Sequence, residues 1–573
     1  MKRYRGIGAS QGIAVGPVHL YCPGKVETGR IFVGQTAKGQ LARYEEIKAA
    51  AREELTRLQA QCAQSAPEQA NIFAAHCDLL ADVVMGQEIT QLVHSGQAML
   101  DQAIEQIYNK YAAMMDSVGD PMFQERARDI EDVRDRLLRL CAGQTDGGMG
   151  LEGPCILAAR DLLPSDTAAL DRDKILAIVT EVGGQTSHSA IIARSYGIPA
   201  LLGVGPFLSE LHEGQTVAVD ACEGELLADG QEEQWAQYRQ RAQAFALRAE
   251  QTAAYLERPA ITQDGVRVSV TLNIADPRDE ELALAPYVDG VGLFRTEFLF
   301  LGRAELPDEE EQTGVYRKVL SAFGDKPVIL RTLDIGGDKQ ADCLKLPKED
   351  NPFLGKRALR LCFDRPDVFR TQLRAALRAS TAGNLWLMLP MVGSMDDIRR
   401  AKTFLRQVQE ELDGEGTPYS HDVKLGIMVE IPSIALLAEQ AAEEVDFASI
   451  GSNDLCQYLM AADRLNGEVS AYYQSMNPAL FRLIGMVVDA FSRRGKPVSL
   501  CGELGGDPQA AVVLAGLGLR KLSMGGDAVP RIKERLCGIR MDQAQAAARQ
   551  VCRLDTASAV EAYLRHTFSP NGQ

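Results

Sequence analysis

Nowhere in the 573 residues does an apolar run approach the ~18 residues that a membrane-spanning helix needs; the longest candidate, AAVVLAGLGL from Ala510, stops near half of that. The opening MKRYRGIGASQG has no signal-peptide apolar core. The 12 cysteines stand singly, without a C-x-x-C pair or a regular spacing. That argues against a zinc site or a disulfide framework and fits reduced thiols in a cytoplasm. Low-complexity tracts are missing too. Positive charge is in deficit, with 61 Lys and Arg against 78 Asp and Glu and a net charge of -17. A broadly basic, nucleic-acid-binding surface is therefore excluded, and a small anionic substrate would need local arginines. Residues 1–185, ahead of the only Thr-Ser-His run, hold no Gly-rich nucleotide loop, which argues against direct use of ATP.

What is present is ordinary globular text, 46% hydrophobic and 24% charged. It is too long for one core, so about three or four domains are expected. Residues 4–22 alternate glycine with β-branched residues and read as short strands without partners nearby. From about Gln35 the text turns helical: Leu41, Ile47, Ala51, Leu55 and Leu58 fall at helical spacing, with breaks near Pro67, Gly96 and Pro121. Strand-like runs resume at PCILAARDLL, KILAIVT, IPALLGV and QTVAVDACEGELLADG. The opening strands are expected to rejoin these across the helices. The domain expectation is a discontinuous α/β domain (1–34 and 146–230), a helical insert (35–145), a linking helix (231–260) and a C-terminal domain (261–573).

That last part alternates short apolar runs with longer helical ones. VSVTLNI, DGVGLF, PVILRTLD, LWLMLPM, LGIMVEI, VDFASIG, PVSLCG and KLSM make about eight strands, the count of a (β/α)8 TIM-type barrel, whose sites sit at the C-terminal ends of the strands. Asn273, Arg295, Arg331, Glu430, Asn453, Asp454 and Cys501 stand at those ends. The plain alternative is that charges merely cap strands.

In GGQTSHSAIIARSYG, Gly183 to Gly197, His188 follows two glycines and precedes a helix-like segment. Glycines permit close approach, and a helix start offers free N–H groups to an anion. Hydroxyls at Thr186, Ser187 and Ser189 can add donors. His188 thus reads as a phosphate- or oxyanion-friendly histidine, with a satisfied structural histidine as the alternative.

The motif resembles the phosphohistidine motif of the PEP-utilising enzymes, and the chain is similar throughout to the enzyme I family of the bacterial PEP-dependent sugar phosphotransferase system. The matching blocks are GIGASQGIAVG, DGVGLFRTEFLFLGR, RTLDIGGDK, DNPFLGKRALR, VEIPSIALLA, FASIGSNDLCQYLMAADR and CGELGGDP. The resemblance implies a multidomain α/β protein: a swivelling phosphohistidine α/β domain with an inserted helical bundle that binds the phosphocarrier protein HPr, then a PEP-binding (β/α)8 barrel that dimerises. It implies that PEP phosphorylates His188 and leaves as pyruvate, and that the phosphoryl group passes to HPr in the first step of sugar uptake. The alternatives are a nitrogen-branch paralogue, a non-catalytic regulatory paralogue or a dikinase- or PEP synthase-like enzyme.

PEP brings a carboxylate and a phosphate, which call for planar, permanently charged donors. Arg295, Arg331 and Arg464 fit, and by resemblance they bind the substrate with Asn453. Arg357 and Lys339 match further positive positions at the same mouth. Glu430 and Asp454 suit Mg²⁺, which takes one or two carboxylates plus substrate oxygens and waters. By resemblance Cys501 protonates the enolate and Thr167 orients His188. Gln185 and Ser452 depart from the usual family residues but remove no reacting group.

Overall fold

The computed structural model describes residues 2–21, 26–65, 67–117, 121–144, 151, 153–168, 170–184, 187–336, 341–347 and 349–568. Of the expectations above, Thr186, Gln185 and Lys339 fall outside the described residues. The chain divides into two compact units, residues 1–248 and 249–573.

The first unit opens with β1 (Arg3–Arg5), β2 (Ile7–Ser10) and β3 (Ile13–Tyr21). Five helices follow: α1 (Ala37–Ser65), α2 (Pro67–Leu80), α3 (Val83–His94), α4 (Leu100–Asp116) and α5 (Pro121–Cys141). Their apolar stripes close on one core containing Ile47, Leu55, Phe73, Ile89, Ile104 and Val133. The chain then returns as β4 (Cys155–Ala159), α6 (Pro164–Ala168), β5 (Ile175–Thr180), α7 (His188–Tyr196), β6 (Ala200–Leu202), β7 (Thr216–Asp220) and β8 (Glu225–Leu227). These strands form one sheet in the order β1-β8-β7-β3-β4-β5-β6-β2. β3, β4, β5 and β6 run parallel, while β7 and β2 close the flanks antiparallel. The early strands therefore find their partners beyond all five helices, as their lack of nearby partners required. α8 (Glu232–Ala253) contains the boundary between the units.

The second unit is a closed barrel of β9 (Ser269–Ile274), β10 (Val291–Phe294), β11 (Val328–Arg331), β12 (Leu385–Leu389), β13 (Lys424–Val429), β14 (Phe447–Ile450), β15 (Val498–Leu500) and β16 (Lys521–Met524). All neighbouring strands pair in parallel, β16 returning to β9. Near-continuous burial along the strands explains why they read as apolar runs and not as alternating ones. The interior holds Leu293, Ile329, Trp386, Met388, Met428, Phe447 and Cys501. No helix of the described residues is long and apolar enough to cross a membrane.

Candidate functional site

His188 is the first residue of α7, with Ser187 as N-cap and Gly197 as the left-handed C-cap at φ 64°. The helix starts there because the glycine-rich turn ends there, and it stops where only glycine takes that φ without strain. The Ala190 and Ile191 N–H groups both donate to the Ser187 carbonyl, at 2.9 and 3.1 Å, so only those of His188 and Ser189 lack a partner within the helix itself. The neighbouring hydroxyls are engaged elsewhere: Ser187 Oγ donates to the Gly184 carbonyl at 2.9 Å, and Ser189 Oγ to the Leu162 carbonyl at 3.5 Å. This corrects the expectation that both are spare donors for an anion. α6, which carries the buried Thr167, packs against α7, and the Thr167 hydroxyl donates to the Pro164 carbonyl at 2.8 Å. Asp161 lies close enough to feel the charge of His188; burial raises its carboxyl pKa, while Arg128, ion-paired at 3.0 Å, lowers it.

In the second unit, Arg331 is the last residue of β11, and its buried guanidinium meets Glu297 at 2.6 Å and Asp334 at 2.9 Å. Arg357 is buried against the other side of Asp334, donating to it through Nε and Nη2, and to Asp454 at 3.0 Å. Arg464 Nη2 stands 3.7 Å from Asp454 Oδ1. Asn453 exchanges hydrogen bonds with Glu503, its amide donating at 3.1 Å and its carbonyl oxygen accepting the Glu503 N–H at 3.0 Å. Asn453 and Asp454 lie in the first turn of the helix Ser452–Met460, one residue beyond the Gly451 that follows β14. Arg295 follows β10 directly and is exposed.

Glu430 follows β13 and accepts the Met391 N–H at 2.5 Å. Its pKa is raised by burial, then by the negative charges of Asp454 and Asp334. Gly451 keeps this corner open, because a Cβ there would lie 3.0 Å from Glu430 Oε2. Cys501 follows β15; burial pushes its thiol up to about 11, and its Sγ donates to the Ile450 carbonyl at 3.6 Å.

Two observations single out this barrel mouth as the candidate ligand site. Arg331 Nε, Thr332 Oγ1, Ser452 Oγ and Asp454 Oδ1 are buried polar atoms without a hydrogen-bond partner among the described residues. Such atoms are rare in folded proteins and call for an absent ligand, ion or water. Met391 at φ 52° and Ala358 at φ 52° and ψ −126° sit beside Glu430 and Arg357, so strained backbone adjoins both residues. The donor set also fits a divalent cation: two carboxylates that repel one another and a buried, unbonded Asp454 oxygen, with no third His, Cys, Asp or Glu forming a closed cage among the described residues. Two carboxylates with room for other oxygens suit Mg²⁺ better than a saturated structural site. The arrangement can bind a small polyanion, balance its charge and offer a thiol proton.

Glu297 and Asp334 are the residues that the sequence reading missed. Their signal was present in FRTEF and RTLDIGG, where an acid stands two or three residues from each arginine at a strand end.

Three family models match in succession: "PEP-utilising enzyme, N-terminal" over residues 5–126, "PEP-utilising enzyme, mobile domain" over 151–224 and "PEP-utilising enzyme, PEP-binding domain" over 249–541. The chain is 41% identical to the phosphoenolpyruvate-protein phosphotransferase of Geobacillus stearothermophilus, covering 99% of this chain and 98% of that one. It is 38% identical to the protein of the same description from Bacillus subtilis (strain 168), covering 99% and 100%. For that of Listeria monocytogenes the figures are 40% identity and 95% of each chain.

Proposed function

Because the chain belongs to the phosphoenolpyruvate-protein phosphotransferase family, we propose that it transfers the phosphoryl group of PEP to His188 and then to a histidine of HPr, releasing pyruvate. The observation that carries this reading is the convergence of buried Arg331 and Arg357 on Asp334, with Arg357 also on Asp454 and Glu430 within reach of their charge, at the barrel mouth and within the stretch matched as PEP-binding. His188 falls within the stretch matched as the mobile domain.

In this mechanism a neutral ring nitrogen of His188 attacks phosphorus. The N–P bond forms as the bridging O–P bond breaks, and the electron pair stays on the enolate oxygen of pyruvate. Such transfer needs positioning and charge compensation more than covalent help. Arg295, Arg331 and Arg464 hold the phosphate and carboxylate oxygens, and Asn453 adds a hydrogen bond; Arg357 joins them from its seat on Asp334. Glu430 and Asp454 would hold Mg²⁺, which when bound offsets charge on the phosphoryl oxygens. The enolate carbon takes its proton from the Cys501 thiol, which remains protonated at neutral pH, and the thiolate then regains a proton from water. Thr167 orients the imidazole so that one nitrogen stays free.

His188 and the arginines belong to separate compact units. The first unit must therefore deliver His188 to the barrel and afterwards present it to HPr, docked on α1–α5. Closure during transfer would keep water from the labile intermediate. The full reading includes a cytoplasmic homodimer associating through the barrel. Incubation with labelled PEP and Mg²⁺ tests the central claim: label is expected on the intact chain and absent from His188→Ala, and label retained on that variant refutes it.

A further inference from the structure

α5 carries Arg128, Asp132 and Arg136 four residues apart, so the three side chains follow one another along a single face of the helix. That face is bonded to the segment between β4 and β5, which borders His188. Arg128 pairs with Asp161 at 3.0 Å. Asp161 accepts the Leu162 N–H at 3.0 Å, and the Leu162 carbonyl accepts the hydroxyl of Ser189, the neighbour of His188. One turn along, Asp132 accepts both the N–H and the hydroxyl of Ser165, at 3.0 and 2.5 Å. One turn further, Arg136 donates to the same Ser165 oxygen at 2.7 Å and pairs with Glu54 of α1 at 2.6 Å. Ser165 belongs to α6, two residues before Thr167, and α6 packs on α7. Behind the cluster, buried His76 of α2 lies 3.2 Å from Asp129 and 3.9 Å from Asp132.

Asp132 and Arg136 are each only 3% exposed. A helix that merely had to cover α6 could do so with apolar side chains at less desolvation cost. What the cluster adds is register: Ser165 is held by both Asp132 and Arg136, so α6 cannot slide or rotate on α5 without leaving these buried charges unpaired, although Arg136 Nε and His76 Nδ1 have no hydrogen-bond partner among the described residues. α6 has five residues, too few to hold a helix by itself, so its place is set from outside.

We propose that Asp132 and Arg136 are positioning residues for phosphoryl transfer: through Ser165 they fix α6, and α6 fixes the ring of His188 for attack. The inference rests on the reading of His188 as the phosphoryl acceptor.

The test uses the full chain labelled with 15N-histidine, in which the His188 resonances are those lost in His188→Ala. Ser165→Ala retains the backbone N–H that Asp132 accepts and is the mildest lesion; Asp132→Asn, Arg136→Met and Arg136→Lys accompany it. The expected result is shifted His188 imidazole nitrogens and His188 labelling by PEP slowed about 10- to 100-fold. KM for PEP should not change, and Arg136→Lys should keep more activity than Arg136→Met. Folded Ser165→Ala with wild-type resonances and wild-type labelling rate overturns the proposal. So does a loss that merely tracks the unfolded fraction while the resonances of the folded fraction stay unchanged. Failure of the wild-type chain to take label on His188 would sink the phosphotransfer reading instead, and the resonances would still decide the positioning.

Discussion

Asp334→Asn removes one negative charge from between two buried guanidiniums while preserving shape. Asp334 accepts from Arg357 through Nε and Nη2 and pairs with Arg331 at 2.9 Å. Its loss does not strand either arginine fully, since Arg331 keeps Glu297 at 2.6 Å and Arg357 keeps Asp454 at 3.0 Å. Breaking a buried pair by removing one partner costs about 3–5 kcal/mol, and the two surviving pairs place this case at the low end, about 3 kcal/mol. That corresponds to roughly two orders of magnitude in the unfolding equilibrium of the barrel. With two compact units, whole-chain unfolding is not one transition, so the assay must report on the barrel alone. The chain has 2 tryptophans, Trp235 in the first unit and Trp386 inside the barrel. Urea unfolding followed by tryptophan fluorescence in a Trp235→Phe background isolates the second. A destabilisation under about 1 kcal/mol would show that water screens this cluster, and the description of these ion pairs as buried would fall.

Three more outcomes are expected. Ala358→Gly should stabilise the barrel by about 1 kcal/mol in the same assay, because φ 52° with ψ −126° suits glycine alone; a neutral or destabilising result would mean the strain is absent. Cys501, its thiol pushed up to about 11 by burial, should resist alkylation at pH 7–8 in the folded chain and react only on unfolding or near its own pKa; rapid modification at pH 7 contradicts this environment. Burial raises the Asp166 carboxyl to about 6 from an ordinary value of 3.8, so the native state holds its proton more tightly and is penalised above pH 6. The penalty should be relieved as pH falls from about 6 to about 4. Measured against Asp166→Asn, the wild-type first unit should gain about 3 kcal/mol across that window, and a flat difference would refute the shift.

The barrel was legible because its strands are buried on both faces and therefore read as apolar runs, most of them with a polar or reactive residue at the end. Arg331, Glu430 and Cys501 could be placed on that ground alone. Asp334 and Glu297 could not, since an acid that neutralises a buried arginine has the same letter as an acid facing water, and only burial separates them. The hydroxyls of Ser187 and Ser189 were misjudged for a related reason: a side chain's partner is a matter of three-dimensional neighbours, here the Gly184 and Leu162 carbonyls. The stripe of Arg128, Asp132 and Arg136 has the look of a solvated helix face, and its role depends on α6 lying against it.

The sheet of the first unit has a consequence for how the chain acquires its structure. β1 pairs with β8, so the strand made first is among the last to find its neighbour, and β3 meets β4 only after α1–α5 have been made. At ~5–20 residues per second, Arg3–Arg5 wait roughly 10–45 s during synthesis for Glu225–Leu227. The helices, whose contacts are local, can close their core in that interval. The nascent chain thus passes through a stage in which a finished helical body trails unpaired strand edges, the stage at which a holding chaperone would matter most.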